Sequence, residues 1–379
     1  MIIGIPKETY ENENRVSITP DTTSKLIKLG FKVNFESGAG TNSFFSDDEF
    51  IQSGAIRVSS AQELYNSSEI IVRVQRPRSE HDLSMIKSGS TLISFFYPLI
   101  DPMISRYTSD RGINVLAMDL VPRTTIAQKM DALSSQMNLA GYKAVLIAAN
   151  ELGKIFPLMM TAAGTIRPSK VVIMGAGVAG LQALGTAKRL GAIVEVSDIR
   201  PAVKEEVLSL GGRFIEVETD EDMQDEKGYA KETSDEFLKK QKELIFKHIT
   251  GADIVITTAL IPGKKAPVLV TEEMIKNMRK GSVILDMAVE FGGNCELSEQ
   301  DKLVEFHGVK IIGYSNLPSM IPVNASELYS KNVLSLLQHI SKEGKIEFDL
   351  QDEVISSMLV TYNGEVKLPQ LLEKLKLSK

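Results

Sequence analysis

A chain of 379 residues exceeds the size at which one hydrophobic core keeps growing, so two domains are expected. With 43% hydrophobic and 24% charged residues, general disorder is excluded. The net charge of −6 argues against a nucleic-acid-binding face, which needs a basic surface. The single cysteine, Cys295, rules out an intramolecular disulfide and fits a reducing, cytoplasmic setting. The N-terminus, Met1 to Glu8, lacks the basic flank, apolar stretch and small-residue cleavage site of a secretory signal. Apolar runs such as Ala144 to Ala149 and Leu158 to Ala163 are far shorter than the roughly 18 residues of a membrane span. No direct membrane insertion is expected; any membrane association comes through a partner.

In chain order, the helix-like Thr22 to Leu29 is followed by β-prone runs at Phe31 to Phe35, Ile70 to Val74, Thr91 to Phe95 and Ile113 to Ala117, the punctuation of an α/β domain. Residues Ile126, Met130, Leu133, Met137 and Ala140 recur at helical spacing and predict a long helix over 126–146 that joins two domains. A second series of short, buried, parallel strands follows at Val171 to Met174, Ile193 to Ser197, Asp253 to Thr257, Val283 to Leu285 and Val309 to Ile312. The amphipathic stretch Ser326 to His339, with Leu328, Val333, Leu336 and Leu337 on one face, is the natural return into the first domain. The expected architecture is α/β: two Rossmann-like domains with parallel sheets, joined by long helices, the first domain discontinuous (1–135 and 322–379) around the second (136–321).

The most informative local motif is Gly175-Ala176-Gly177-Val178-Ala179-Gly180, placed between the apolar run Val171 to Met174 and the helix-like Leu181 to Leu190. On a strand-to-helix turn, glycines permit close backbone approach and the helix N-terminus attracts a pyrophosphate. The alternative is a turn whose glycines answer only to packing. The next strand ends at Asp198, where a carboxylate accepts hydrogen bonds from ribose hydroxyls and repels a 2′-phosphate, so NAD is favoured over NADP. Arg200, two residues on, is placed to soften that preference.

From Glu216 to Glu243, 16 of 28 residues are charged, interrupted by Gly228-Tyr229-Ala230. This density predicts either a solvated loop with a charged helix after it, or a lid whose tyrosine folds onto a ligand. Asp286 and Glu290 stand near a strand end, as cleft residues or as caps of the following turn, and receive no role. The histidines at 81, 248, 307 and 339 are scattered, and no metal-ligand spacing is present.

The pattern Gly4-Ile5-Pro6-Lys7-Glu8, Glu13-Asn14-Arg15-Val16 and Thr19-Pro20 resembles the family shared by alanine dehydrogenases and the proton-translocating transhydrogenase α subunit. In the dehydrogenases a lysine and a histidine handle the amino acid. Here the matching stretches read Val72-Arg73-Val74-Gln75-Arg76-Pro77 and Ser94-Phe95-Phe96-Tyr97-Pro98, without either residue. Gln75 and Tyr97 are poor proton acceptors near neutral pH, so the amino-acid chemistry is absent from these positions. Arg15, which would pair with a substrate carboxylate, is retained.

By contrast, the stretch from Arg123 to Gln136 is similar to the transhydrogenase signature at the nicotinamide end of NAD(H). Periodicity alone makes Gln128 and Asp131 the polar face of a buried helix. The resemblance instead implies that Arg123, Gln128, Asp131 and Ser134 form a polar loop beside the dihydronicotinamide, with Arg123 contacting the pyrophosphate or steadied by Asp131. It also implies that Gly228 and Tyr229 belong to a mobile loop, and that Ala259 and Leu260, in Thr257 to Gly263, line the cofactor. With Gly175, Gly177, Val178, Ala179, Gly180, Asp198, Ile199 and Arg200 they make up the expected NAD(H) site. Asn138 to Tyr142 and Glu290 to Cys295 also fit, so the resemblance spans almost the whole chain.

The implied activity is direct hydride transfer from NADH held here to NADP+ held by a partner. Implied partners are membrane-spanning and NADP-binding subunits, and a second copy of this chain in a homodimer assembled through the nucleotide-binding domain. The chain ends at Lys379 without membrane helices, as expected of a separate subunit peripheral on the inner face of the cytoplasmic membrane. The rival expectations are a free-standing alanine dehydrogenase and an NADH-sensing module without chemistry.

Overall fold

The computed structural model describes residues 1–77, 80–216, 235–260 and 265–377. The chain divides into two compact units, Met1–Gln136 with Pro318–Lys379 and Met137–Leu317.

Among the described residues, the first unit is built on eight strands. Their spatial order is Glu365–Val366, Leu359–Tyr362, Asn114–Ala117, Thr91–Ser94, Ile70–Val72, Ile2–Ile5, Lys32–Glu36 and Ile56–Val58. The six N-terminal strands run parallel, and the two C-terminal ones add an antiparallel edge. Because side chains alternate across a strand, each apolar run feeds two cores. Ile70, Val72, Ile93 and Leu116 lie in one core, while Ile71, Leu92 and Val115 lie in the other. The first core is closed by the helix Pro322–Ile340, whose Tyr329, Val333, Leu336 and Leu337 are buried. Its small polar residues satisfy main-chain donors of the N-terminal segment: Ser326 Oγ accepts from Val16 N at 2.9 Å and Ser330 Oγ from Thr19 N at 3.0 Å.

Among the described residues, the main sheet of the second unit has seven strands in the order Arg213–Phe214, Ile193–Ser197, Lys170–Met174, Ile254–Thr257, Val283–Asp286, Val309–Ile312 and Leu303–Phe306. All pairs are parallel except the last, which is antiparallel. After Lys170–Met174 the chain winds outward to one side, then returns to Ile254–Thr257 on the other, which makes this a doubly wound sheet with its switch point between those two strands. In such sheets ligands enter at the carboxyl ends of the strands flanking the switch point, here Met174 and Thr257. An exposed hairpin, Met159–Thr161 with Gly164–Ile166, precedes the first of these strands.

The helix predicted over 126–146 instead runs Ala132–Glu151. Ahead of it lies a short 3-10 turn, Gln128–Met130, and Asp131 leaves helical geometry at ψ 87°. The Asp131 carboxylate accepts from Ser134 N at 2.8 Å, satisfying a first-turn donor in the manner of an N-cap. Ala127 and Met130 are buried while Ile126 is 70% exposed, so the apparent helical period before Ala132 is accidental. Among the described residues no helix is long and apolar enough to cross a membrane.

Candidate functional site

The strand Lys170–Met174 ends in Gly175, and the helix Val178–Arg189 begins three residues later. Gly175 has φ +110°, a conformation that side chains disfavour, and a Cβ on it would come within 2.6 Å of Thr258 Oγ1. A Cβ on Gly180 would lie 1.9 Å from the Gly175 carbonyl oxygen. Packing therefore demands both glycines. Gly177 is different: its φ is −80°, which any residue adopts, and a Cβ there would meet no described atom within 4 Å. Packing gives no reason for a glycine at 177, and close approach of a ligand does. The following helix starts without a side-chain hydrogen bond from its N-cap and without an acidic residue in its first turn. The N–H groups of Val178, Ala179 and Gly180 thus stand at an electropositive helix end suited to a pyrophosphate.

The neighbouring strand Ile193–Ser197 delivers Asp198 to this turn, and its Oδ2 accepts from Ala176 N at 2.7 Å. Arg200 is folded back onto the same carboxylate through its main-chain N, Nε and Nη2 at 2.8, 3.0 and 3.0 Å. Burial pushes the Asp198 carboxyl up, but hydrogen bonds from Arg200 and Ala176 outweigh it and hold the group below the ordinary aspartate value. Ile199, between them, is 92% exposed.

The third wall of the turn comes from Ile254–Thr257. Thr258 Oγ1 donates to the Gly175 carbonyl at 3.1 Å, and Ala259 is gripped on both sides by Asn294, which accepts from its N at 3.0 Å and donates to its O at 2.9 Å. Asn294 is itself fixed by Asp286, a fully buried carboxylate that also accepts from Thr257 Oγ1, Ala288 N, Cys295 N and Ser298 Oγ. Asp286 is thus the hub of the turn after its strand. Cys295 is buried and its thiol is pushed up to about 12 by burial, so it is no nucleophile. Gly141 explains its own motif: a Cβ there would lie 2.2 Å from the Ala179 carbonyl, so its absence lets the helix Ala132–Glu151 approach the glycine turn's helix.

In the first unit, Arg123 and Gln128 are exposed; the Gln128 carbonyl accepts from Asp131 N at 3.3 Å, which closes the 3-10 turn. Asp131 is engaged by Ser134, whose Oγ donates to it at 2.6 Å, rather than by Arg123. The segment is held from below. Ala127 and Met130 are buried, and Asn332 on the helix Pro322–Ile340 donates to the Lys129 carbonyl at 2.9 Å while accepting from Ser135 Oγ at 2.7 Å. Sequence reasoning places Thr258 and Asn294 in stretches that fit the family without giving either a role, and it misses Asn332. The only signal for Asn332 is a polar residue amid an apolar pattern, which is common.

Arg15 lies in a buried two-pronged pair with Glu13 at 2.7 and 2.6 Å, and donates to Gln136 at 2.8 Å. Gln75 donates to the same Glu13 at 3.0 Å. Burial pushes Glu13 up, yet the Arg15 charge and hydrogen bonds bring it below the ordinary glutamate value. Tyr97 adopts φ +50° with its N–H on Asp119. Gly228 and Tyr229 lie outside the described residues, as do Ile261 to Gly263. The charged stretch resumes as the helix Asp235–Thr250.

Residues 4–140 match the family described as alanine dehydrogenase/PNT, N-terminal domain, and residues 144–369 its C-terminal domain. The chain is 47% identical to the first part of the NAD(P) transhydrogenase subunit alpha of Rhodospirillum rubrum, covering 98% of this chain and 99% of that one. The crystal structure of transhydrogenase from Sinorhizobium meliloti superposes with a TM-score of 0.88 at 43% identity, over 97% of this chain and all of that one. Alanine dehydrogenase of Bacillus subtilis is further away, 28% identical over 97% of this chain and 92% of its own.

Proposed function

The chain belongs to the alanine dehydrogenase/PNT family, on the side of its NAD(P) transhydrogenase α subunits, and from that premise we propose that it binds NAD(H) and presents it for direct hydride transfer to NADP+ on a partner subunit. Gly177 carries this proposal, as the one glycine of the turn that packing does not require. Its missing side chain lets the backbone come close to a pyrophosphate, which takes hydrogen bonds from the N–H groups of Val178, Ala179 and Gly180. Asp198 accepts from the ribose hydroxyls, Ile199 offers apolar surface beside it, and Ala259 and Leu260 line the turn held by Asn294.

When bound, the dihydronicotinamide supplies the hydride. Arg123 and Gln128, projecting from a turn fixed by buried neighbours, orient the reacting end and exclude water. Asp131 and Ser134 keep that turn in shape, and no protein group has to exchange a proton with the substrate. Proton movement across the membrane belongs to partner subunits that span it and bind NADP, against which this chain sits on the cytoplasmic face. The chain works as a homodimer, supported by the second unit's hairpin, where Leu158, Met159, Met160 and Ile166 are 57%, 43%, 76% and 43% exposed. An isolated two-stranded hairpin with exposed apolar side chains is marginal in water and gains from a partner.

Binding is tested by titration with NADH, followed by the nucleotide's own emission because the chain contains no tryptophan. Saturable binding that Gly177→Ala weakens by about tenfold or more is expected. Equal affinity in the variant would remove the carrying observation.

A further inference from the structure

We infer that Arg200 is an internal competitor for the ribose-binding edge of Asp198, and so sets how strictly the site prefers NAD over NADP; the inference rests on the proposed NAD(H) site. A carboxylate offers about four lone-pair positions. In this structure Asp198 already receives four N–H donors. Oδ1 takes the Arg200 main-chain N at 2.8 Å and Nε at 3.0 Å. Oδ2 takes Ala176 N at 2.7 Å and Arg200 Nη2 at 3.0 Å. Two ribose hydroxyls therefore have to displace something. The two main-chain donors are fixed by the turn. The guanidinium, on a side chain 55% exposed beside a carboxylate 7% exposed, is the group that can leave.

Two consequences follow from that exchange. NADH loses affinity, because it has to break an exposed, two-pronged ion pair before Asp198 accepts its hydroxyls. NADPH gains, because the pair presents no net charge to a 2′-phosphate where a bare Asp198 would repel it. A guanidinium fork beside the ribose is also the arrangement that accommodates that phosphate. Glu206 is close enough to favour the Arg200 charge as well, so the displaced side chain retains an acidic neighbour. Arg200 thus acts in opposite directions on the two nucleotides, which a purely structural surface arginine would not do.

The test is titration of the full chain with NADH and, separately, NADPH, for wild type, Arg200→Ala, Asp198→Asn and the double variant, with urea midpoints as a folding control. Arg200→Ala should tighten NADH by about threefold, as removal of a competing exposed pair predicts. It should weaken NADPH by roughly tenfold, the scale of a lost charged hydrogen bond. In the Asp198→Asn background the same change should leave NADH affinity unaltered, because the competition runs through the carboxylate. Weaker or unchanged NADH binding in Arg200→Ala, or unchanged NADPH binding, would overturn the inference. A wild-type chain that binds no NADH would instead overturn the functional proposal and, with it, this one.

Discussion

The glycine turn at 175–180 and the polar segment at 123–134 hold their shapes in opposite ways. The turn is fixed by what is missing: added carbons at 175 and 180 would strike Thr258 Oγ1 and the Gly175 carbonyl. The polar segment is fixed by what is present: buried Ala127 and Met130, the Asp131–Ser134 contact, and Asn332 reaching the Lys129 carbonyl. A turn defined by backbone sterics prescribes residue type wherever an added carbon would clash, here at 175 and 180, and fails when either is violated. A segment held by side-chain hydrogen bonds leaves its exposed residues, Arg123 and Gln128, free to be chosen for what they touch.

The largest effect that would sharpen this contrast is on folding. Gly180→Ala drives a methyl into a main-chain oxygen at 1.9 Å, and should destabilise the second unit by about 3 kcal/mol or more, measured by urea unfolding. Gly177→Ala in the same turn should change stability by less than about 0.5 kcal/mol. If both variants unfold at the same midpoint, the division of the turn into packing glycines and a ligand glycine is wrong.

Next in size, Asn332→Ala removes a buried side chain that donates once and accepts once, at an expected cost of about 2 kcal/mol. Unchanged stability would mean that Ala127 and Met130 suffice to hold the turn. Gln128→Ala should be silent in unfolding and nearly silent in NADH affinity, yet slow hydride transfer by about tenfold, roughly 1.4 kcal/mol. Equal losses in binding and transfer would contradict a positioning role. The smallest effect is in pH. Asp198 is held below its ordinary value of 3.8, so the stability contributed by its contacts is fully present above pH 3.8 and is lost only as pH falls through the lowered value. NADH affinity should therefore show no step from Asp198 between pH 5 and pH 8, a window of about three units above any such titration. A step removed by Asp198→Asn would show the carboxyl to be raised instead.

The same contrast explains what is legible in the sequence. The strands at Ile193–Ser197 and Val309–Ile312 carry the expected bounds, because their β-branched residues, Ile193, Val194 and Val196 in one and Val309, Ile311 and Ile312 in the other, follow closely on the turn glycines Gly191 and Gly308. The glycine turn is readable for a related reason: its spacing is a direct image of its geometry. The polar segment is not. Ile126, Met130 and Leu133 imitate a helical stripe, and only Asp131 acting as a cap stops the helix there, a role that its place in the sequence does not announce. The roles of Asn294 and Asn332 are not legible because each depends on a carbonyl or amide brought to it by the fold. The occupation of Asp198 by Arg200 can be suspected from proximity, but the number of donors on the carboxylate cannot be counted without coordinates.

The central claim is that this chain presents NADH and that a partner accepts the hydride. Its most direct test is spectroscopic: NADH and NADP+ supplied to the purified chain with and without an NADP-binding transhydrogenase domain, alongside a control with pyruvate and ammonium. Turnover that requires the added domain is the predicted result. NADH oxidation by the chain alone with pyruvate and ammonium would contradict it, and would make the chain an amino-acid dehydrogenase working without the usual lysine and histidine.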